Sequence, residues 1–128
     1  MEIVLDTSVV VAHLRRQTNL FAVNSGVETL FLPLVALGEL YKGAEKSSQP
    51  QVQYALLEKL MQERFELLGP GEVTARFYAQ IASNLERSGV PIPQNDLWIA
   101  ASALETNLPL ATRDAHFARV PDLTVLRW

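Results

Sequence analysis

The sequence predicts a single α/β domain in which a parallel β-sheet is flanked by α-helices. Short apolar runs alternate with amphipathic helical segments along the chain, as in βαβ units. The first apolar run ends at Leu5 and leads at once into a helical segment, as expected for a strand of a parallel sheet that is buried on both faces. The 128 residues contain no internal repeat, linker or low-complexity tract, so residues 1–128 should form one domain around one core.

Each strand is predicted from a short apolar run, and each helix from apolar residues at helical spacing. The predicted strands cover residues 2–5, 30–33, 65–68, 108–111 and 124–126. The predicted helices cover residues 9–14, 35–44, 52–63, 73–88 and 96–104, and Gly89 is expected to cap the fourth. The residues expected to face the core from the second, third and fourth helices are Leu34, Leu37, Tyr41, Ala44, Val52, Leu56, Leu57, Leu60, Met61, Val73, Phe77, Ile81 and Leu85.

The last predicted helix is apolar around its whole circumference but begins with a carboxylate. Between Leu97 and Leu104 the one polar side chain is Ser102, and a helix of this kind belongs in a core. Asp96 should therefore lie at the buried end of a buried helix. A purely structural explanation is also open, in which Asn95 caps the helix and Asp96 complements the positive end of its dipole.

The composition excludes several classes of function. The chain has no cysteine, which rules out disulfides, thiolate zinc sites and thiol nucleophiles and favours the reducing cytoplasm. No basic flank precedes the first strand, and no apolar run is long enough for a signal peptide or a membrane span, so we expect a cytoplasmic protein without a membrane partner. The net charge of -3 argues against a broad basic surface, so a polyanion would be held locally or through metal.

Four carboxylates are expected above one edge of the sheet. Asp6 and Asp114 follow predicted strands, where open α/β sheets place their ligands, and Asp96 begins the buried helix. Glu39 lies in the helix after the second strand, away from its apolar stripe, although a surface glutamate paired with a lysine is an open alternative. Clustered carboxylates repel each other, and a hard cation such as Mg²⁺ or Mn²⁺ relieves the repulsion. Such a site can bind a phosphodiester and activate water, which indicates phosphoryl transfer.

Other polar side chains near the strand ends could support this chemistry. Thr112, Thr7 and Ser8 could form hydrogen bonds to a carboxylate, a metal-bound water or a phosphate. Each hydroxyl could instead cap local backbone, and for Ser8 we prefer that interpretation. His13 and His116 share no metal-ligand spacing, so both are expected to be structural or surface-exposed.

Four segments, taken in order, resemble the motifs of PIN domains, especially those of the toxin ribonucleases of VapBC toxin-antitoxin modules. These segments are Ile3–Ser8, Leu37–Ala44, Asn95–Ala103 and Leu110–Phe117. The resemblance covers essentially the whole chain and keeps the order of the motifs, which makes it far more specific than any single acidic residue. It implies a parallel sheet flanked by helices and a Mg²⁺- or Mn²⁺-dependent endoribonuclease that acts on single-stranded or looped RNA.

The resemblance also implies site residues and partners. Asp6, Glu39, Asp96 and Asp114 match the acidic metal-binding quartet, and Thr112 matches the hydroxyl residue that supports it. The family implies a homodimer and a cognate antitoxin whose C-terminal segment commonly covers the active site.

Arginines near the motifs are candidates for contacts with RNA phosphates. They are Arg15, Arg16 and Arg113. An exposed, solvated side chain is the simpler explanation for each of them.

Two alternatives belong to other classes of function. A receiver-type signalling domain would need an acceptor aspartate after its third strand and a lysine after its last, and residues 65–71 and 127–128 contain neither. A PIN-fold module that binds RNA or protein without catalysis would be expected to lack one or more of the acids, and all of them are present here.

Overall fold

The fold is built on one parallel sheet. A computed structural model describes residues 1–23, 26, 29–63 and 65–128, with Val23 described by its backbone alone. Within these ranges the strands are β1 (Glu2–Leu5), β2 (Thr29–Pro33), β3 (Phe65–Leu68), β4 (Leu110–Thr112) and β5 (Val125–Arg127). All strand pairs are parallel, in the order β3-β2-β1-β4-β5. This confirms the predicted parallel sheet.

Helices flank the sheet. They are α1 (Thr7–Leu14), α2 (Leu20–Val23), α3 (Leu34–Lys46), α4 (Pro50–Met61), α5 (Glu72–Arg87) and α6 (Gln94–Thr106), and a 3₁₀ helix covers Ala115–Arg119. Helix α3 contacts α1, α4 and α6, while α5 packs extensively on α6. Of the helices in the described ranges, none is both long and apolar enough to cross a membrane.

The strand order places a crevice at the centre of one sheet edge. The chain first builds β2 and β3 on one side of β1 and then crosses to build β4 and β5 on the other side. The switch in direction lies between β1 and β4, where Leu5 is in register with Ala111. Open α/β sheets bind ligands at the carboxyl ends of the strands at this switch point. The residues that follow Leu5 and Ala111 therefore meet at the position where a ligand is expected.

Helix α6 lies in the core, as its all-round apolar sequence predicts. Its buried residues are Leu97, Ile99, Ala100, Ala101, Ser102 and Ala103. The helix begins at Gln94 with Pro93 in the N-cap position, so Asn95 is not the cap. Asp96 lies in the first turn, close to the point where the helix enters the core.

The core-facing stripes of the other helices are confirmed only in part. Helix α3 buries Ala36, Leu37, Leu40 and Ala44, and α4 buries Leu57 and Leu60. Four residues predicted to face the core are exposed, at fractions from 42% to 52%: Leu34, Val52, Leu56 and Val73. Three of the four lie in the first turns of their helices. Helical spacing predicts which face of a helix points to the core, but not how far the sheet beneath it extends. The predicted core-facing stripes therefore include residues that lie beyond the sheet.

Short elements and some boundaries differ from the prediction. Helix α2 and the 3₁₀ helix were not predicted, because segments this short carry no measurable helical periodicity. Strand β4 begins at Leu110 rather than at Leu108. Gly89 is confirmed as a terminator of α5, since it has φ +73° and follows directly after the end of the helix at Arg87 and Ser88.

Candidate metal centre

Asp6 is the buried anchor of the site. It follows β1 directly and is 4% exposed. One of its oxygens, Oδ2, accepts hydrogen bonds from Ser8 Oγ at 2.6 Å and from Thr112 Oγ1 at 2.8 Å. The same two hydroxyl oxygens accept backbone N–H groups, Ser8 from Arg113 at 3.0 Å and Thr112 from Asp114 at 2.9 Å. These four bonds fix the loop after β4 to the end of β1.

This network corrects the preferred interpretation of Ser8 as a local cap. Helix α1 has no side-chain cap hydrogen bond, and the Ser8 hydroxyl serves Asp6 and Arg113 instead. The neighbouring Thr7 donates from Oγ1 to Glu39 Oε1 at 2.9 Å, which links α1 to α3. Both hydroxyls in the first turn of α1 therefore hold site residues in place.

Asp96 and Asp114 meet at a histidine. Nδ1 of His116 lies 3.2 Å from Asp96 Oδ2 and 3.1 Å from Asp114 Oδ1. The backbone N–H of His116 also donates to Asp114 Oδ1 at 2.9 Å, so Asp114 caps the 3₁₀ helix. Each of these three side chains offers one atom that could bind a metal ion. Among the described residues, these three atoms form a group in which all lie within 4.8 Å of one another. His116, expected to be structural or surface-exposed, is partly exposed and lies beside two of the predicted acids.

His13 lies elsewhere and meets the expectation. Its Nδ1 accepts the backbone N–H of Leu20 at 3.2 Å, and its ring packs edge-on against Phe21 with the ring centres 5.5 Å apart. This histidine connects α1 to α2 and takes no part in the acidic site.

The electrostatics of Asp96 tie the four acids together. The pKa of Asp96 is raised from 3.8 to about 6, and burial is the largest cause. The negative charges of Asp6, Asp114 and Glu39 contribute to this rise, whereas the hydrogen bond with His116 opposes it. The other three predicted carboxylates are thus close enough to act on Asp96, although Asp6 and Glu39 lie outside the tight group of Asp96, Asp114 and His116.

The donor set fits a divalent cation. In the part of the chain that the structure describes, no lysine or arginine forms an ion pair with any of the four acids. Uncompensated carboxylates at one buried edge are unfavourable, and hard cations that prefer oxygen ligands remove the penalty. The residues present are therefore suited to hold such an ion.

The sequence of the chain matches the family model for the PIN domain over residues 3–123. The chain belongs to the PIN domain family. It is 31% identical over 129 residues to ribonuclease VapC1 of Haemophilus influenzae, in an alignment that covers 97% of this chain and 96% of that protein. The resemblance seen in the sequence motifs is confirmed.

Solved structures of PIN proteins share the whole fold. VapBC2 from Rickettsia felis, bound to a DNA fragment from its promoter, superposes with a TM-score of 0.92 at 26% identity, covering 100% of this chain and 99% of that one. VapBC-1 from nontypeable Haemophilus influenzae gives a TM-score of 0.89 at 31% identity, with 100% and 98% of the chains covered. The single parallel α/β domain is therefore that of VapC-type PIN proteins.

Proposed function

We propose that this PIN domain, spanning residues 1–128, is the endoribonuclease toxin of a type II toxin-antitoxin module, and that it cleaves single-stranded or looped RNA. One observation carries the proposal: ligand atoms of Asp96, Asp114 and His116 lie within 4.8 Å of one another, and Thr112 ties the Asp114 backbone to Asp6. Burial and the charges of Asp6, Asp114 and Glu39 raise the pKa of Asp96, so its charged form destabilises the site unless a cation is bound there. The relation to ribonuclease VapC1 supplies the class of substrate.

Asp6, Glu39, Asp96 and Asp114 would hold Mg²⁺ or, in its place, Mn²⁺. When bound, such an ion positions a phosphodiester, favours deprotonation of the attacking water and stabilises the leaving oxygen. Thr112 supports the site because its hydroxyl orients Asp6 and holds the Asp114 backbone. Ser8 and Thr112 both donate to Oδ2 of Asp6, so these two hydroxyls set the orientation of the carboxylate.

The partners follow from the surroundings of the site. A groove between α1, α3 and α4 has a volume of about 310 Å³ and is lined by both apolar and polar side chains, among them Glu39 and Arg15. We assign this groove to the C-terminal antitoxin segment that the family resemblance implies, since the related solved structures are of VapBC2 and VapBC-1. Arg15, Arg16 and Arg113 have exposed side chains and could contact RNA phosphates.

We also propose a homodimer in the cytoplasm. Large hydrophobic side chains on α3, α4 and α5 are exposed, and pairing of two copies would cover part of this surface. A cysteine-free chain whose substrate is cellular RNA suits the reducing cytoplasm.

The alternatives are weaker. Receiver domains share the flavodoxin-like strand order 2-1-3-4-5, whereas the order here is 3-2-1-4-5. A PIN module without catalysis has no need to keep four mutually repelling carboxylates together. We retain that module as the alternative outcome of the experiment below.

The proposal is tested with purified protein free of antitoxin and with total RNA, in Mg²⁺ and in EDTA. We expect Mg²⁺-dependent cleavage, and a loss of about 10³-fold in rate for Asp96→Asn, the scale typical of losing a key electrostatic group. Circular dichroism of both proteins controls for folding.

Full activity of Asp96→Asn in Mg²⁺ would refute the site. Failure of folded wild-type protein to cleave any RNA would favour the binding module. Mapping of the cleaved ends would identify the target RNA.

A further inference from the structure

His116 is held rigidly at the mouth of the acidic site. Its backbone N–H donates to Asp114 Oδ1 at 2.9 Å. The next residue, Phe117, is fully buried and anchors the 3₁₀ helix in the core. The His116 side chain itself is 39% exposed, and the Asp96 side chain beside it is 14% exposed. The imidazole is therefore fixed by its neighbours but can still be reached from solvent.

The atoms around the imidazole have the spacing of adjacent metal ligands. Nδ1 lies 3.2 Å from Asp96 Oδ2 and 3.1 Å from Asp114 Oδ1, and the three ligand atoms all lie within 4.8 Å of one another. Neighbouring ligands in an octahedral shell with bonds of about 2.1 Å are roughly 3 Å apart. An ion could thus meet the nitrogen and both carboxylates with little movement of the side chains.

We propose that His116 is a metal ligand through Nδ1, together with Asp96 and Asp114, and that this nitrogen makes the site prefer Mn²⁺ to Mg²⁺. The inference rests on the proposed function, which assigns a divalent ion to this edge of the sheet. It adds a nitrogen to a ligand set that the sequence predicted to consist of carboxylates alone.

The preference follows from ligand chemistry. Mg²⁺ is small, prefers oxygen and gives up its water reluctantly, whereas imidazole nitrogen suits transition metals. A nitrogen ligand therefore contributes more binding free energy to Mn²⁺ than to Mg²⁺. Removing it should lower the affinity for Mn²⁺ selectively.

A positioning role makes a different prediction. If His116 only orients Asp96 and Asp114 by hydrogen bonds, its removal should weaken Mn²⁺ and Mg²⁺ binding to the same extent. The bound Mn²⁺ would then have no nitrogen in its coordination shell. Spectroscopy and metal selectivity separate the two roles.

The experiment uses untagged full-length protein, free of antitoxin, at pH 7.5. Electron spin echo envelope modulation of bound Mn²⁺ should show coupling to a ¹⁴N nucleus in the wild type. His116→Gln should lose this coupling and bind Mn²⁺ at least about tenfold more weakly by titration calorimetry, since removal of even an outer-shell partner of a metal ligand typically costs that much. Its Mg²⁺ affinity should change less than twofold.

His13→Gln is the matched control, because the chain has two histidines and His13 binds the Leu20 backbone away from the site. This variant should keep the ¹⁴N coupling. Absence of coupling in the wild type, its persistence in His116→Gln, or equal losses for both metals would overturn the inference.

An assay of RNA cleavage distinguishes failure of the His116 proposal from failure of the proposed function. Wild-type protein that cleaves RNA in Mg²⁺ but shows no ¹⁴N coupling refutes the role of His116 alone. Protein that neither binds Mn²⁺ nor cleaves RNA refutes both proposals.

Discussion

Asp6 and Asp96 are both largely buried acids of one site, yet their surroundings differ. Asp6 follows a strand and accepts hydrogen bonds from two hydroxyls, Ser8 and Thr112, on one oxygen. Asp96 begins a helix, has the imidazole of His116 as its side-chain partner, and has a pKa raised to about 6. Hydrogen bonds in the folded protein stabilise the Asp6 carboxylate. The charged form of Asp96, in contrast, lowers the stability of the folded protein. Burial alone therefore does not decide whether a carboxylate stabilises or destabilises the fold. The number of hydrogen-bond donors that face it also matters.

The largest change in stability is expected when the negative charge of Asp96 is removed. In EDTA at pH 7.5, Asp96→Asn should raise the free energy of unfolding by about 2 to 3 kcal/mol, the order of magnitude that its raised pKa implies. The reason is that the variant removes a charge that is poorly solvated in the folded state. Urea denaturation of both proteins measures the difference.

The same difference should depend on pH in a defined direction. Because the pKa of Asp96 is about 6 in the folded protein and 3.8 in the unfolded chain, the folded protein binds an additional proton between these pH values. The stability that this proton confers is complete below about pH 4 and is lost as the pH rises through 6. The gain from Asp96→Asn should therefore shrink at acid pH. Asp6→Asn is the control, and an equal gain from it would remove the contrast between the two acids.

A second, smaller effect tests the hydroxyls that support Asp6. Thr112→Val keeps the shape of a fully buried side chain but removes the donor to Asp6 and the acceptor of the Asp114 backbone N–H. We expect a loss of about 1 to 3 kcal/mol in the free energy of unfolding, the usual cost of leaving buried polar groups unpaired. Denaturation in EDTA measures it without any contribution from metal.

Ser8→Ala is the comparison for that variant, because Ser8 is only partly buried and water can replace its hydroxyl. Its loss should be smaller, near 1 kcal/mol. If Ser8→Ala lowered the free energy of unfolding more than Thr112→Val, the Ser8 hydroxyl would be the more important of the two for Asp6.

The smallest effect is expected at Glu39. Thr7→Val removes the 2.9 Å hydrogen bond to Glu39 Oε1, and both residues are partly exposed. Stability should fall by about 1 kcal/mol or less. RNA cleavage should fall more than stability does, because Glu39 loses the donor that orients it. Unchanged cleavage, measured beside the wild type, would show that the orientation of Glu39 does not matter.

The sequence predicted most of the fold because its strands are short, mostly apolar and mostly separated by longer helices. The runs ending at Leu5 and Leu68 matched their strands, and the apolar residues after Asp96 placed α6 in the core. The predictions that placed Leu34 and Val52 in the core were wrong, since periodicity gives the direction of a side chain but not the extent of the surface opposite it.

Local sequence determined by itself which acids follow strands or begin a helix, and their motif order carried the resemblance to the PIN domain. Only the tertiary structure decided which side chains lie beside these acids. Ser8 meets Arg113 across 105 residues because β1 and β4 are paired in register, and His116 meets Asp96 because the 3₁₀ helix lies against the start of α6. Hydrogen-bond partners and pKa values depend on such distant neighbours, so spacing along the chain does not reveal them.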